Sequence, residues 1–289
     1  MKRSTLVLAL AVATLSSRAA AEPAAAAPPP SPLAWRDEWR KPTGVDVLVA
    51  AVGVAGTIVT GFVLSEPPKL WEGRNPLDEG GRDLFRSSSD QARQTQVAIS
   101  DVLFYGVAAY PLIVDAGVVA LVVHRDARTA GYLAIGDFLS LGTAGTFAGV
   151  IERSGRERPY RRNCGPGGPG DPDCDGPGPN TSFLSGHTAA AFAGAGLVCV
   201  QHKMLPLYGG RFADGLACGS ALTLATTSAV FRLTGDQHYV TDVLAGTALG
   251  LTAGYVLPSL LYFGFRRPAG PPPAEVVVTG SSLVVRGTW

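Results

Sequence analysis

The residues best suited to chemistry stand in one short stretch, Phe231-Arg232-Leu233-Thr234-Gly235-Asp236-Gln237-His238-Tyr239-Val240-Thr241-Asp242. With a helix beginning near His238, the carboxylate of Asp242 lies four residues along the same face. It then reaches the imidazole and holds it ready to attack. Arg232, upstream on the segment feeding that helix, supplies a guanidinium whose planar fork matches a phosphate. The same residues also suit a plain ion pair at a helix start beside an interfacial arginine, so the stretch needs support from elsewhere in the chain.

Two other stretches give it. Glu152-Arg153-Ser154-Gly155-Arg156-Glu157-Arg158-Pro159 ends an apolar run with three arginines and a helix-stopping proline, a concentrated anion-binding face. Ser185-Gly186-His187 opens the next run. There Ser185 can cap the helix, Gly186 lets the backbone approach a ligand, and the free amides of the first turn favour an anion beside His187. Each stretch alone reads as an ordinary helix end. Alternate ends of an up-and-down bundle share one side, however, so the exits of the third and fifth runs meet the starts of the fourth and sixth. Two helix N-termini and several arginines then face two histidines and a carboxylate, a set suited to phosphoryl transfer.

The elements that must position these groups are apolar runs at about 45–64, 97–123, 130–151, 184–200, 215–231 and 238–265. Several have the length of a membrane span. The composition agrees: 46% of the 289 residues are apolar, 16% are charged, and mean hydropathy is positive. Most of the 36 glycines fall inside the apolar runs, where small residues allow close helix packing. The expected fold is all-α, a membrane-embedded bundle of about six helices. Asp101, Asp115 and Asp137 lie within the runs and are expected to face the bundle interior or a polar partner. A net charge of +1 offers no basic surface for nucleic acid.

Residues 1–21 read as a secretory signal and 22–44 as an Ala/Pro-rich linker ending in an interfacial patch around Trp35, Arg36, Trp39, Arg40 and Lys41. The main domain then covers 45–265, with the motifs in 130–265, and 266–289 is a Pro-rich tail in which 275–285 could form a hairpin. Residues 65–96 read as a solvated connection without chemistry. Cys164 and Cys174, closing a Gly/Pro/Asp-rich loop, are expected to form a disulfide. Cys199 and Cys218 read as inert small apolar residues, and His124 and His202 as solvated. Asp171, Asp173, Asp175 and Gly176 open like a calcium loop, but Ser182 stands where the bidentate glutamate belongs, so no metal site is expected.

The three motifs together resemble the type 2 phosphatidic acid phosphatases, a family that includes vanadium haloperoxidases and bacterial acid phosphatases. Its pattern is K-x6-R-P, P-S-G-H and S-R-x5-H-x3-D. Here Arg158-Pro159 matches the first, Ser185-Gly186-His187 the second, and Arg232, His238 and Asp242 the third, over roughly 130–265. The motif lysine is replaced by Ile151, the proline before Ser185 by Leu184, and the serine before Arg232 by Phe231. Arg153 or Arg156 is the expected substitute for the missing cation.

The resemblance implies a four-helix catalytic core and a metal-independent, cofactor-free mechanism through a phosphohistidine. His238 would be the nucleophile, Asp242 its orienter and His187 the acid, with Arg158, Arg232, Ser185 and Gly186 on the phosphate. Together with the apolar runs it implies a phosphomonoester or diphosphate of a membrane lipid as substrate, in a multi-pass inner-membrane protein of bacterial type. The alternatives are a soluble periplasmic acid phosphatase, a vanadate-dependent haloperoxidase and a non-catalytic binder of lipid phosphates. Oligomeric state is not indicated. A cleaved leader before six spans would place the motifs in the cytoplasm. The family's usual orientation, the cysteine loop and the basic turns at Arg125, Arg128, Lys203, Arg211, Arg266 and Arg267 instead favour a periplasmic site.

Overall fold

The computed structural model describes residues 33–73, 75–168 and 170–264, together with the backbone of a strand pair at 275–279 and 282–286. The expected leader at 1–21, the linker as far as 32, and Arg266 and Arg267 fall outside the described residues.

The bundle is helical, in the order α1 (Gly44–Ile58), α2 (Pro76–Phe85), α3 (Asp90–Tyr110), α4 (Ala127–Glu152), α5 (Gly186–Met204), α6 (Arg211–Thr234) and α7 (Val240–Leu251). Three of them run on in wider π-type turns: α1 to Val63, α3 through Pro111–Val123, and α7 through two short segments to Phe263. Pro111 has no N–H to give to the preceding turn, and the wider winding begins at that residue. Strands β1 (Glu275–Thr279) and β2 (Ser282–Arg286) pair antiparallel.

Among the described residues, five stretches are long and apolar enough to cross a membrane: Gly44–Val63, Asp90–Val123, Ala127–Glu152, Arg211–Thr234 and Val240–Phe263. The remaining apolar run, the fourth in chain order, forms α5, the central helix. It packs against α3, α4, α6 and α7, and from Ala191 to Gln201 every residue is buried. Around it the outer helices expose large apolar side chains, among them Phe62, Val102, Ile113, Phe147, Phe212 and Leu244. Such a belt suits hydrocarbon as its surroundings.

Close packing fixes how helix ends meet. Gly246, Gly250 and Gly254 form a ridge on α7 that lies on α5; a Cβ on any of them would stand 2.0–2.6 Å from the carbonyl oxygens of Ser185, Ala189 or Ala193. Small residues four apart let two backbones touch in this way. The contact sets the start of α5 beside the start of α7, where the Ser185 amide donates to the Asp242 carbonyl at 3.1 Å.

Several local expectations change. The 65–96 connection is not a bare solvated segment: α2 is capped by Asn75, and its Asp78 is fully buried against the start of α7. Arg82 and Arg86 from the same region grip Asp236, which adopts a left-handed φ of 60°. Trp39 of the aromatic patch is 3% exposed and packs edge-on against Phe263, which docks this part of the patch on the bundle.

Cys199 and Cys218 are bonded to each other, linking α5 to α6, and are not free apolar fillers. His202 is buried between Asp115 and Asp214, because the turn after α5 folds Asp214 back onto it. His124 is half-buried, with Nε2 at 3.0 Å from the Leu207 carbonyl. Asp115 meets His202 and Tyr208, and Asp137 accepts from Gln201. These carboxylates do face polar partners inside the bundle.

Candidate active site

At one end of the bundle the exit of α4, the start of α5, the exit of α6 and the start of α7 come together. His238 does not lie on α7, as the i,i+4 argument supposed. The helix begins at Val240 with Tyr239 as its N-cap, and His238 sits in the turn before it. Arg232 is likewise in the last turn of α6 rather than on a feeding loop.

The imidazole is therefore held differently. Its Nδ1 is 2.8 Å from the Ser182 carbonyl and 3.8 Å from Asp242. A carbonyl only accepts, so Nδ1 carries the proton and Nε2 keeps its lone pair. Nε2 is buried and has no hydrogen-bond partner among the described residues. Burial, with the positive charge of Arg158 and then Arg232 opposed only by Asp242, pushes His238 down to about 3. The ring is neutral at ordinary pH.

Asp242 works one step back. Its carboxylate accepts from the Ser182 hydroxyl at 2.6 Å, the Tyr239 amide at 2.8 Å and the Arg156 guanidinium. By holding Ser182 it holds the carbonyl that orients His238.

Arg156 is held by carboxylates in this arrangement. It is 1% exposed, clamped between Asp78 and Asp242, and its guanidinium lies over the Tyr239 and Trp71 rings. Burial would raise Asp78, but the Thr241 amide and hydroxyl and the Arg156 guanidinium hold it below the usual carboxylate range. Arg153 donates to the Ser65 carbonyl. Of the two expected substitutes for the motif lysine, Arg156 is thus engaged by Asp78 and Asp242, and Arg153 reaches the Ser65 carbonyl through one nitrogen.

The cations that do face the histidines are Arg158 and Arg232, both within electrostatic reach of His187, His238 and the Glu152 carboxylate. Arg158 is fixed by the Gly178 carbonyl at 2.8 Å, Gln237 Oε1 at 2.9 Å and Thr181 Oγ1 at 3.2 Å. Arg232 is buried, donates to Asp101 at 2.8 Å, and has an Nε with no hydrogen-bond partner among the described residues. Ser185 caps α5, accepting from the Thr188 amide and hydroxyl. Gly186 gives its amide to Glu152 Oε1 at 3.2 Å. His187 is at 3.1 Å from Asp101 through Nε2 and lies against Phe104.

Asp101, Ser182, Gln237 and Glu152 are the site groups that motif reading misses. Asp101 had a signal, a carboxylate inside an apolar run; Ser182 acts through its backbone and had none. Because Asp101 bridges His187 and Arg232, Asp101→Asn is expected to slow phosphate release by about 10- to 100-fold from substrates with poor leaving groups. With p-nitrophenyl phosphate the loss should be small. Parallel assays of the two substrate types check it.

The Cys164–Cys174 disulfide ties down the loop that closes this end. Asp173 accepts from Gln237 at 2.6 Å, and Gln237 in turn holds Arg158. Asp171 is engaged by Arg93 on α3 and by Asn163, so these acidic groups dock the loop on the bundle. Closing a loop of this size restricts the unfolded chain by about 2–3 kcal/mol. A Cys164→Ser/Cys174→Ser protein is expected to melt lower and to show a several-fold higher KM with kcat little changed, as steady-state kinetics would register.

Residues 137–266 match the model of the PAP2 superfamily. The lipid A 1-phosphatase of Porphyromonas gingivalis is 35% identical over 92 residues, which cover 31% of this chain and 18% of that protein. The chain thus matches about a fifth of that relative's length. No solved structure matches the chain. The matched segment contains Arg158, Ser185, Gly186, His187, Arg232, His238 and Asp242, and over residues 137–266 the chain is similar to the PAP2 superfamily.

Proposed function

We propose that the protein is a phosphatase acting on a phosphomonoester or diphosphate of a membrane lipid through a phosphohistidine. The observation that carries this reading is the buried Nε2 of His238: neutral, without a hydrogen-bond partner among the described residues, and flanked by Arg158 and Arg232. Such a nitrogen is a nucleophile without an assigned target.

In the first step Nε2 attacks phosphorus, the bond from phosphorus to the leaving oxygen breaks, and His187 gives that oxygen a proton. In the second, water attacks the phosphohistidine, gives its proton to His187, and inorganic phosphate leaves while Nε2 recovers its lone pair. Arg158, Arg232 and the first-turn amides of α5 offset charge on the equatorial oxygens. The charge is carried by protein groups, so the reaction as written calls for no metal or cofactor.

A lipid substrate is favoured by where the site stands. It opens at the end of a bundle with an apolar belt, beside a groove of about 560 Å³ between α3 and α6, lined by Val102, Gly106, Val107, Ala217, Ala221 and Leu224. The groove begins one residue from Asp101, as a headgroup in the site and a chain in the groove would require. The Porphyromonas gingivalis relative, named for a lipid A 1-phosphatase, lends support to the same class. The basic turns at Arg125, Arg128, Lys203 and Arg211 lie at the end away from the site. That distribution supports a site facing the periplasm. The disulfides do not help, because one lies toward each end.

The test is release of inorganic phosphate by purified protein from lipid A, phosphatidic acid, phosphatidylglycerol phosphate, undecaprenyl diphosphate and p-nitrophenyl phosphate. Turnover of a lipid is the expected result. Turnover of the soluble ester alone would overturn the lipid assignment, and halide oxidation with added vanadate without phosphate release would overturn the phosphatase.

A further inference from the structure

The mechanism above gives no role to Glu152, the last residue of α4, yet this carboxylate stands inside the phosphate cradle. Its Oε1 accepts from the Gly186 amide, one of the first-turn donors an incoming phosphate oxygen needs. A Cβ at residue 186 would lie 2.7 Å from that oxygen, so a glycine there is what admits the carboxylate. Arg158 and Arg232 both act on it. One position before it, Ile151 stands where the resembling family carries its lysine.

An ionised Glu152 and a phosphate dianion cannot share this space without strong repulsion. A protonated Glu152 can, because its O–H is able to donate a hydrogen bond to a phosphate oxygen. We propose that Glu152 is a proton-gated phosphate ligand: it takes one proton from solvent as the anion enters, releases the Gly186 amide, and donates a hydrogen bond to a phosphate oxygen. The inference rests on the phosphatase reading for the identity of the anion.

The groups that bear on its titration come from every side. They are Arg158 after α4, Arg232 on α6, His187 on α5 and His238 before α7, with Asp101 on α3 acting through Arg232 and His187. Asp242 and Asp78 are neutralised by Arg156, and Arg153 is turned to Ser65.

Sulfate, a tetrahedral dianion that does not titrate near neutrality, is the probe. For the wild-type protein its affinity should fall with rising pH, approaching about tenfold per pH unit once Glu152 ionises in the free protein. Glu152→Gln carries a donor at every pH; its profile should be flat, with at least tenfold tighter binding than wild type at pH 8. Calorimetry of the wild-type protein in buffers of different ionisation enthalpy needs no variant and should record uptake of about one proton per sulfate at pH 8.

Parallel pH profiles in the two proteins, or no proton uptake, overturn the proposal. If lipid phosphate is nevertheless turned over, the phosphatase reading survives without it. A protein that neither binds sulfate nor releases phosphate overturns both.

Discussion

Replacing His238 with alanine is expected to lower phosphate release by about 10⁴-fold or more while leaving the fold intact. The estimate follows from removal of a covalent nucleophile, whose loss leaves only binding and charge stabilisation. The His238 ring packs in the turn before α7 and makes one hydrogen bond, to a carbonyl, so its loss should be tolerated structurally. The complementary variant separates the two histidines. His187→Ala should retain phosphoenzyme formation from p-nitrophenyl phosphate, whose leaving group needs no proton, and accumulate it because the second step lacks its base. Labelling with radioactive phosphate under alkaline denaturing conditions should reveal a band in His187→Ala and none in His238→Ala. A labelled His238→Ala protein would discard the assignment.

The same residue makes a pH prediction with a definite sign. Its folded value is lowered to about 3, from about 6.5 in an unfolded chain. Between those values the unfolded chain binds a proton that the folded one refuses, so stability is full above about pH 6.5 and declines as pH falls toward 3. Thermal melts from pH 7 to pH 4 should reveal this decline, and it should be smaller in His238→Gln. Within the same window the nucleophile stays neutral, so an acid limb in kcat belongs to another group.

Arg156→Ala has the largest expected effect on stability. The guanidinium is the shared counter-charge of Asp78 and Asp242, both fully buried. It also donates to the Gly73 carbonyl at 2.6 Å and to Thr241 Oγ1 at 2.8 Å. Removing it leaves two buried carboxylates without a cation, a loss of about 3–5 kcal/mol. For a bundle of this size the melting temperature should drop by roughly 10 °C or more. Arg156→Lys should recover little, since a point charge cannot fork between two carboxylates and lie over two rings. Detergent-solubilised thermal melts check this. A variant that melts normally but has a raised KM would instead restore Arg156 to the phosphate.

That contrast marks the boundary between what residue order reveals and what folding adds. Length, hydropathy and glycine placement were enough for an all-α bundle with spans, because a membrane leaves few ways to satisfy a backbone. Motif spacing was enough to bring Arg158, Ser185, Gly186, His187, Arg232 and His238 to one end, since alternate helix ends of a bundle must share a side. It could not tell which of the five charged residues at the α4 exit, Glu157 among them, turn inward. Glu152, Arg153, Arg156 and Arg158 differ there only by where the chain bends after Glu152. The bend sends Arg153 to Ser65, buries Arg156 under α2, and leaves Glu152 and Arg158 in the cradle.

The remaining surprises share one cause. Asp78 and Asp101 serve the site from α2 and α3, more than 80 residues before His187 and Asp242 in the chain, and no local pattern links groups so far apart. His202 looked solvated by its basic neighbours, yet it is enclosed by Asp115 and Asp214; Cys199 looked inert until α6 packed Cys218 beside it. The sequence alone determined which groups are present and at which end of a helix each one falls. Only the tertiary structure decided their partners: Ser182 rather than Asp242 for His238, and Asp78 and Asp242 for Arg156. Partnership depends on side-chain direction and burial across helices, and neither is written in spacing along one of them.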